Sequence, residues 1–179
     1  MRMIILHPFN PLVRPYDQLD TWGVLGGIRE EYGEIVVEHP CYGPYDYGGA
    51  LYNWIISAVA LKTPLIIIEQ DIVPTLSQVA QIINCPYSFC TFDYKIPTDT
   101  GPQRWTDVLA WSHKSGDGHF PLGFSKFDLN SYYYINRLYK FEALGSTSWE
   151  NVAYILSKIL TDEGTTVHVH TDLVYHNHE

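Results

Sequence analysis

The residues best suited to chemistry are two carboxylates, Glu69 and Asp71, separated only by Gln70 and placed directly after the apolar run Leu65-Ile66-Ile67-Ile68. A strand end fixes the direction of the side chains that follow it, and Ile72-Val73-Pro74 then opens a loop. Hard divalent cations such as Mg²⁺ and Mn²⁺ prefer carboxylate oxygen and keep positions open for phosphate oxygen. Asp71, nearer the loop, is the better ligand. The same triplet also reads as acids that close a strand and open the next helix, and the triplet alone does not choose.

A second group is the histidine series His168, His170, His176 and His178. Strand alternation puts His168 and His170 on one face and Val167 and Val169 on the other. Imidazole ligates metals and moves protons near neutral pH. One reading is a dedicated zinc site built from three or four of these residues, as in a His-rich metallohydrolase, although the cysteines complete no zinc motif by spacing. The other joins one histidine to Asp71 on a shared ion and leaves the rest structural. Paired glycines in Tyr45-Asp46-Tyr47-Gly48-Gly49-Ala50-Leu51-Tyr52-Asn53 mark a helix start that can hold an anion, but a plain helix-entry turn explains them more simply. Glu150, in Trp149-Glu150-Asn151-Val152, complements a helix dipole and needs no function to account for it.

The elements that position these groups are supported by composition. The chain has 179 residues, 46% hydrophobic and 15% aromatic, enough for one domain over residues 1–179 with a full core. Its formal charge of -9 repels a phosphate backbone, which argues against nucleic acid as a general partner. Cys41, Cys85 and Cys90 are too few for a disulfide scaffold and read as buried thiols in a reducing compartment, although a Cys85–Cys90 bridge is allowed by sequence distance. Neither a signal-peptide apolar region nor a membrane-length apolar run is present, so a soluble, cytoplasmic protein is expected.

Apolar patterning predicts strands at 3–6, 34–38 and 65–68, the last apolar on both faces as in a covered parallel sheet. Helices are predicted from Asp17 or Asp20 to Gly33, at 50–61 and at 75–83. Further along come strands at 89–94 and 122–127, a short helix at 132–138, a helix at 149–160, a strand at 165–169 and an extended piece at 173–175. Gly123 permits a close approach. The alternating order predicts a doubly wound α/β domain whose ligands bind beyond the carboxyl ends of the strands. His7-Pro8, Glu38-His39 and Glu69-Gln70-Asp71 fall there. The aromatic residues Tyr87, Phe89, Phe92, Tyr94, Trp105 and Trp111 form either a stacking surface for sugar rings or a satellite core.

In order and spacing, these features resemble the nucleotide-sugar glycosyltransferases of the GT-A fold, especially the inverting family 2. Gly48 to Asn53 with the helix that follows resembles the family's Ala-Arg-Asn helix, and Glu69-x-Asp71 stands at its Asp-x-Asp position. Glu150-Asn151-Val152 resembles its Glu-Asp-Val helix start, and residues 164–176 resemble its closing strand and Val-Tyr-His element. The match spans residues 3–178 and is poor over 84–130. The chain is short for the family, like the small glycosyltransferase-like proteins of viruses and phages.

The resemblance implies a single Rossmann-like GT-A domain with a mostly parallel central sheet flanked by helices. It implies transfer of a sugar from a nucleotide-sugar donor to an unknown acceptor, dependent on Mn²⁺ or Mg²⁺. Asp71 and His176 would hold the ion, and Glu69 would contact the ribose or the ion's water shell. His7, Pro8 and Glu38 would lie near the base and ribose, and Asn53 would support the site. Two departures stand out. Tyr52 replaces the family's arginine, and Asn151 occupies the position of its catalytic base. An amide does not accept a proton at neutral pH, so the neighbouring Glu150 is the substitute candidate, with Asp128 and Asp117 as other acids. A glycosyltransferase-like protein that binds a nucleotide without catalysis is the alternative that Asn151 supports.

Overall fold

In the computed structural model, residues 3–12, 19–33, 35–109, 119–128 and 138–176 are described. Strand β1 (Ile4–Phe9) is followed by helix α1 (Leu19–Tyr32), strand β2 (Ile35–Pro40) and helix α2 (Asp46–Leu61). Strand β3 (Leu65–Ile68) leads into a two-residue strand β4 (Ile72–Val73) and helix α3 (Leu76–Asn84). Then come β5 (Phe89–Ile96), β6 (Gln103–Arg104), the short helix α4 (Trp105–Leu109) and β7 (Phe124–Phe127). A 3-10 turn (Leu138–Phe141), the short helix α5 (Glu142–Gly145), helix α6 (Trp149–Asp162) and the long strand β8 (Val167–His176) complete the order.

The sheet runs β2-β1-β3-β7-β5-β8-β4, with β6 added to β5. The pairs β1–β2, β1–β3 and β5–β8 are parallel. Strand β7 lies antiparallel between β3 and β5, and β4 is antiparallel to β8. The sheet is therefore mixed, which corrects the expectation of a mostly parallel one. The parallel set β2-β1-β3 is the β-α-β-α-β run read from the sequence; the segments that follow it add the antiparallel pairings of β7, β6 and β4 and the separate parallel pair β5–β8.

Alternation along the strands divides the core. Ile4, Leu6, Leu65 and Ile67 face one side and pack with Leu51 and Ile55 of α2 and Val152 and Leu156 of α6. Ile5, Ile66 and Ile68 face the other side and meet Leu25 and Ile28 of α1 and Val79 and Ile82 of α3. Two helical layers thus cover the sheet, as strands apolar on both faces require.

Local chemistry sets the boundaries. Gly33, at φ 60°, stops α1 in the left-handed conformation that glycine adopts without penalty. Thr75 caps α3 in a reciprocal box with Gln78, which satisfies two otherwise orphaned amides. Ser148 is the residue before α6, but its side chain makes no cap hydrogen bond. The strand and extended piece expected at 165–175 are one strand, β8, whose register against β5 shifts between Phe92 and Asp93. Most of the helix expected at 132–138 lies outside the described residues.

Candidate active site at the end of the third strand

Glu69 leaves β3 with its amide hydrogen-bonded to the Gly123 carbonyl at 2.8 Å. That approach needs a glycine: a Cβ at residue 123 would lie 2.8 Å from Ile72 Cγ1 and 3.2 Å from Glu69 Oε2. The Glu69 carbonyl accepts from the Ile72 amide at 3.1 Å, closing a tight turn. Gln70 is turned inward, and its Oε1 accepts from the Asn10 amide at 2.6 Å. The buried Thr21 hydroxyl of α1 sits 2.8 Å from the Gln70 carbonyl and 3.0 Å from that of Ile72. The triplet is thus held from both sides, which removes the freedom that a plain loop would have.

The turn feeds β4, where Ile72 pairs with His176 and Val73 with Tyr175. This short antiparallel pair, in a segment the sequence reads as loop, sets Asp71 beside the end of β8. Asp71 Oδ2 lies 3.4 Å from His176 Nε2. The other ring nitrogen, His176 Nδ1, is 2.9 Å from the Lys95 carbonyl. A carbonyl only accepts, so Nδ1 carries a hydrogen and Nε2 is the atom presented to Asp71. Burial pulls the His176 pKa down, but the hydrogen bond and charge of Asp71, helped by the Lys95 carbonyl, outweigh it and hold the value above 6.5.

Glu69 takes a different partner. The buried Tyr47 of α2 donates its hydroxyl to Glu69 Oε1 at 2.5 Å. Burial, followed by the charge of Asp71, pushes the Glu69 carboxyl up to about 7, against the Tyr47 hydrogen bond and His176. A carboxyl near 7 can take or release a proton under physiological conditions. Tyr47 itself is held well above 10, first by burial and then by Glu69, and so remains a donor.

Beside these groups lies a cavity of about 180 Å³. Glu69, Tyr47 and His176 form its polar wall; Tyr94, Trp105 and Trp149 supply aromatic surface, with His119, Leu122 and Ala153 completing it. Trp149 and Ala153 bring the first turns of α6 to the cavity, and Trp149 packs on Tyr47 with ring centroids 4.4 Å apart. Trp105 is oriented by Asp93, a buried acid that accepts from the Thr106 amide and hydroxyl and pairs with Arg104 at 3.1 Å. The aromatic middle of the chain therefore divides. Tyr94 and Trp105 line the cavity, Phe89 and Phe92 are core, Tyr87 stacks on His168, and Trp111 lies outside the described residues.

Not every expected site residue converges here. His7 is fully buried, with Nδ1 2.8 Å from the Ile68 carbonyl, and cross-links the ends of β1 and β3. Pro8 is buried beside it, in register with His39. Glu38 is exposed and pairs with Arg29 at 2.8 Å. Asn53 is on the exposed face of α2 and is not part of the cavity wall. Asn151 donates its side-chain amide to Ser148 Oγ at 3.1 Å, an end-of-helix role. The side chain of Glu150 lies outside the described residues, as do Asp117 and His178. Asp128 follows β7 at the end that pairs with the start of β3, so it sits across the sheet from Asp71. Sequence reasoning missed Tyr47, His119 and Trp149 as wall residues. Tyr47 was visible only as part of the Gly-Gly helix entry.

Asp71 and His176 suit a divalent ion. Two ligands of one ion, each about 2.1 Å from it, stand roughly 3–3.4 Å apart. A ligating imidazole whose other nitrogen donates to a backbone carbonyl is the arrangement that fixes metal-binding histidines. Among the described residues, no lysine or arginine lines the cavity.

No protein-family model matches the chain, and no curated protein matches it by sequence. Solved structures do. The A197 protein from STIV matches with a TM-score of 0.51 at 12% identity, over 98% of this chain and 85% of that one. A glycosyltransferase involved in glycosylation of the major capsid of PBCV-1 matches with a TM-score of 0.51 at 11% identity, over 94% and 81%. At such identities the likeness is one of fold, and it establishes that this chain has a glycosyltransferase-like α/β fold.

Proposed function

We propose that this protein is a metal-dependent glycosyltransferase that moves a sugar from a nucleotide-sugar donor to an acceptor. The observation that carries the reading is the meeting of Asp71 and His176 at 3.4 Å beside the cavity. The likeness to a capsid glycosyltransferase supports the reading at the level of fold.

The electrostatics favour an ion. A diphosphate brought to a cavity walled by Glu69 and flanked by Asp71 meets negative charge, with neither lysine nor arginine among the described lining residues. Bound Mn²⁺ or Mg²⁺ would neutralise charge developing on the departing nucleoside diphosphate. Asp71 and His176 would hold that ion, with the Lys95 carbonyl orienting the imidazole through Nδ1. Tyr47 keeps the Glu69 carboxylate turned to the cavity wall, where it can accept from ribose hydroxyls. Tyr94, Trp105 and Trp149 offer apolar faces on which sugar C–H groups pack. Glu150, in the first turn of α6 next to Trp149, is the candidate general base.

The second reading, nucleotide binding without catalysis, is favoured by Asn151, whose amide is spent on Ser148. Release of nucleoside diphosphate from UDP- or GDP-sugars separates the two. Transfer or slow donor hydrolysis that needs Mn²⁺ and falls at least a hundredfold in Asp71→Ala supports catalysis. Metal-dependent donor binding with no turnover in the wild type would contradict it.

A further inference from the structure

The other end of β8 carries a second cluster. His168 and His170 open the strand, and Cys85 ends α3, far away in sequence. Cys85 Sγ and one ring nitrogen from each histidine lie within 4.8 Å of one another. Among the described residues this is the group of three potential ligands that comes so close. We propose that Cys85, His168 and His170 form a Zn²⁺ site, separate from the cavity, that pins the end of α3 to the start of β8.

Several features make the cluster more than proximity. The two imidazoles sit on one face of β8, and their neighbours fix both ring planes. His168 stacks on Tyr87 at 4.7 Å and 4°, and His170 stacks on Phe92 at 4.3 Å and 9°. The two rings are nearly perpendicular, with centroids 4.6 Å apart, so their nitrogens converge without a loss of rotamer freedom on binding. His170 Nε2 is buried and has no hydrogen-bond partner among the described residues, an arrangement that costs free energy unless something fills it. Cys85 is buried and is a free thiol. One sulfur and two imidazole nitrogens form the donor set of a borderline-soft ion, and three protein ligands leave zinc a fourth position for water. Zinc bonds of about 2.0–2.3 Å would draw the donors to about 3.3–3.6 Å apart, so closure by roughly 1 Å completes the site. The Lys126 ammonium donates to the Cys85 carbonyl, and a zinc-bound thiolate at Cys85 would offset its charge.

The cluster is independent of the proposed transferase reading. Six to eight residues of extended β8 separate His170 and His168 from His176, or about 20–25 Å at ordinary strand rise.

Titration of reduced, metal-free protein with Co²⁺, followed by Zn²⁺, tests the proposal. The expected result is a thiolate-to-metal charge-transfer band that saturates at one Co²⁺ per chain, with intense visible bands of four-coordinate cobalt, and that Zn²⁺ displaces. Cys85→Ser loses the charge-transfer band, and His168→Gln or His170→Gln weakens Zn²⁺ binding at least tenfold. Cys41→Ser and Asp71→Asn retain the full spectrum. Absence of the charge-transfer band in the folded wild type would overturn the proposal, as would a band that survives Cys85→Ser or disappears in Cys41→Ser. Should Cys85→Ser fail to fold, the two histidine variants decide, because undiminished Zn²⁺ affinity in both contradicts the site.

Discussion

At the residue scale, the site depends on how a few buried polar atoms are satisfied. Tyr47 gives Glu69 a short hydrogen bond from the cavity wall. Tyr47→Phe keeps the ring against Trp149 and removes only the hydroxyl. The variant should lose about 1–2 kcal/mol in urea unfolding, because it leaves a carboxyl oxygen without its donor. His7 makes a pH prediction. Burial holds its pKa below 6.5, against the Ile68 hydrogen bond and the charges of Glu38 and Asp71. A histidine whose folded pKa is depressed favours the fold above its unfolded pKa, and that contribution is lost as pH falls below 6.5. His7→Gln can still donate to Ile68, and it should flatten the acid-side fall in stability by up to about 1.4 kcal/mol per pH unit. An unchanged slope in urea melts between pH 7 and 5 would contradict this account. The types of these residues were legible in the sequence, but their partners were not. Nothing local to Tyr47 shows that its hydroxyl meets Glu69, and nothing local to Cys85 shows that it meets two histidines of the last strand.

At the element scale, legibility followed the range of the interactions. Strand β3 matches the apolar run at 65–68, because a four-residue stretch buried on both faces is encoded by its own composition. Helix α3, expected at 75–83, is held at its start by Thr75 and Gln78, a cap contained within four residues. The position of β7 between β3 and β5, and the pairing of β4 with β8, depend on segments distant in the chain. For that reason the sheet was expected to be mostly parallel and is mixed. Asn53 shows the same limit. A helical stripe sets which face is apolar, but it does not say which polar residue meets a site. Gly48 offers a test of packing between elements. A Cβ there would stand 2.1 Å from the Leu144 carbonyl of α5, a backbone atom that cannot swing aside. Gly48→Ala should therefore force α2 and α5 apart and cost at least about 2 kcal/mol. Gly49, whose Cβ would meet nothing within 4 Å, should accept alanine with no loss. Equal melting temperatures for the two variants would contradict the packing described.

At the scale of the whole molecule, charge and topology lead to the same place. The chain carries a formal charge of -9, yet its cavity is built for polar and aromatic contact and is bordered by acids. A divalent ion would reconcile these facts with the proposed phosphorylated donor. The strand order brings the carboxyl end of β3 and the last residue of β8 together through β4, so residues 71 and 176 converge although 105 positions separate them in the numbering. Calorimetry with UDP- and GDP-sugars, with and without Mn²⁺, in the wild type and in Asp71→Ala, is the most direct measurement. The account predicts that one donor binds only with Mn²⁺ and that Asp71→Ala abolishes that binding. Equal donor affinity with and without Mn²⁺, or binding unchanged in Asp71→Ala, would contradict it.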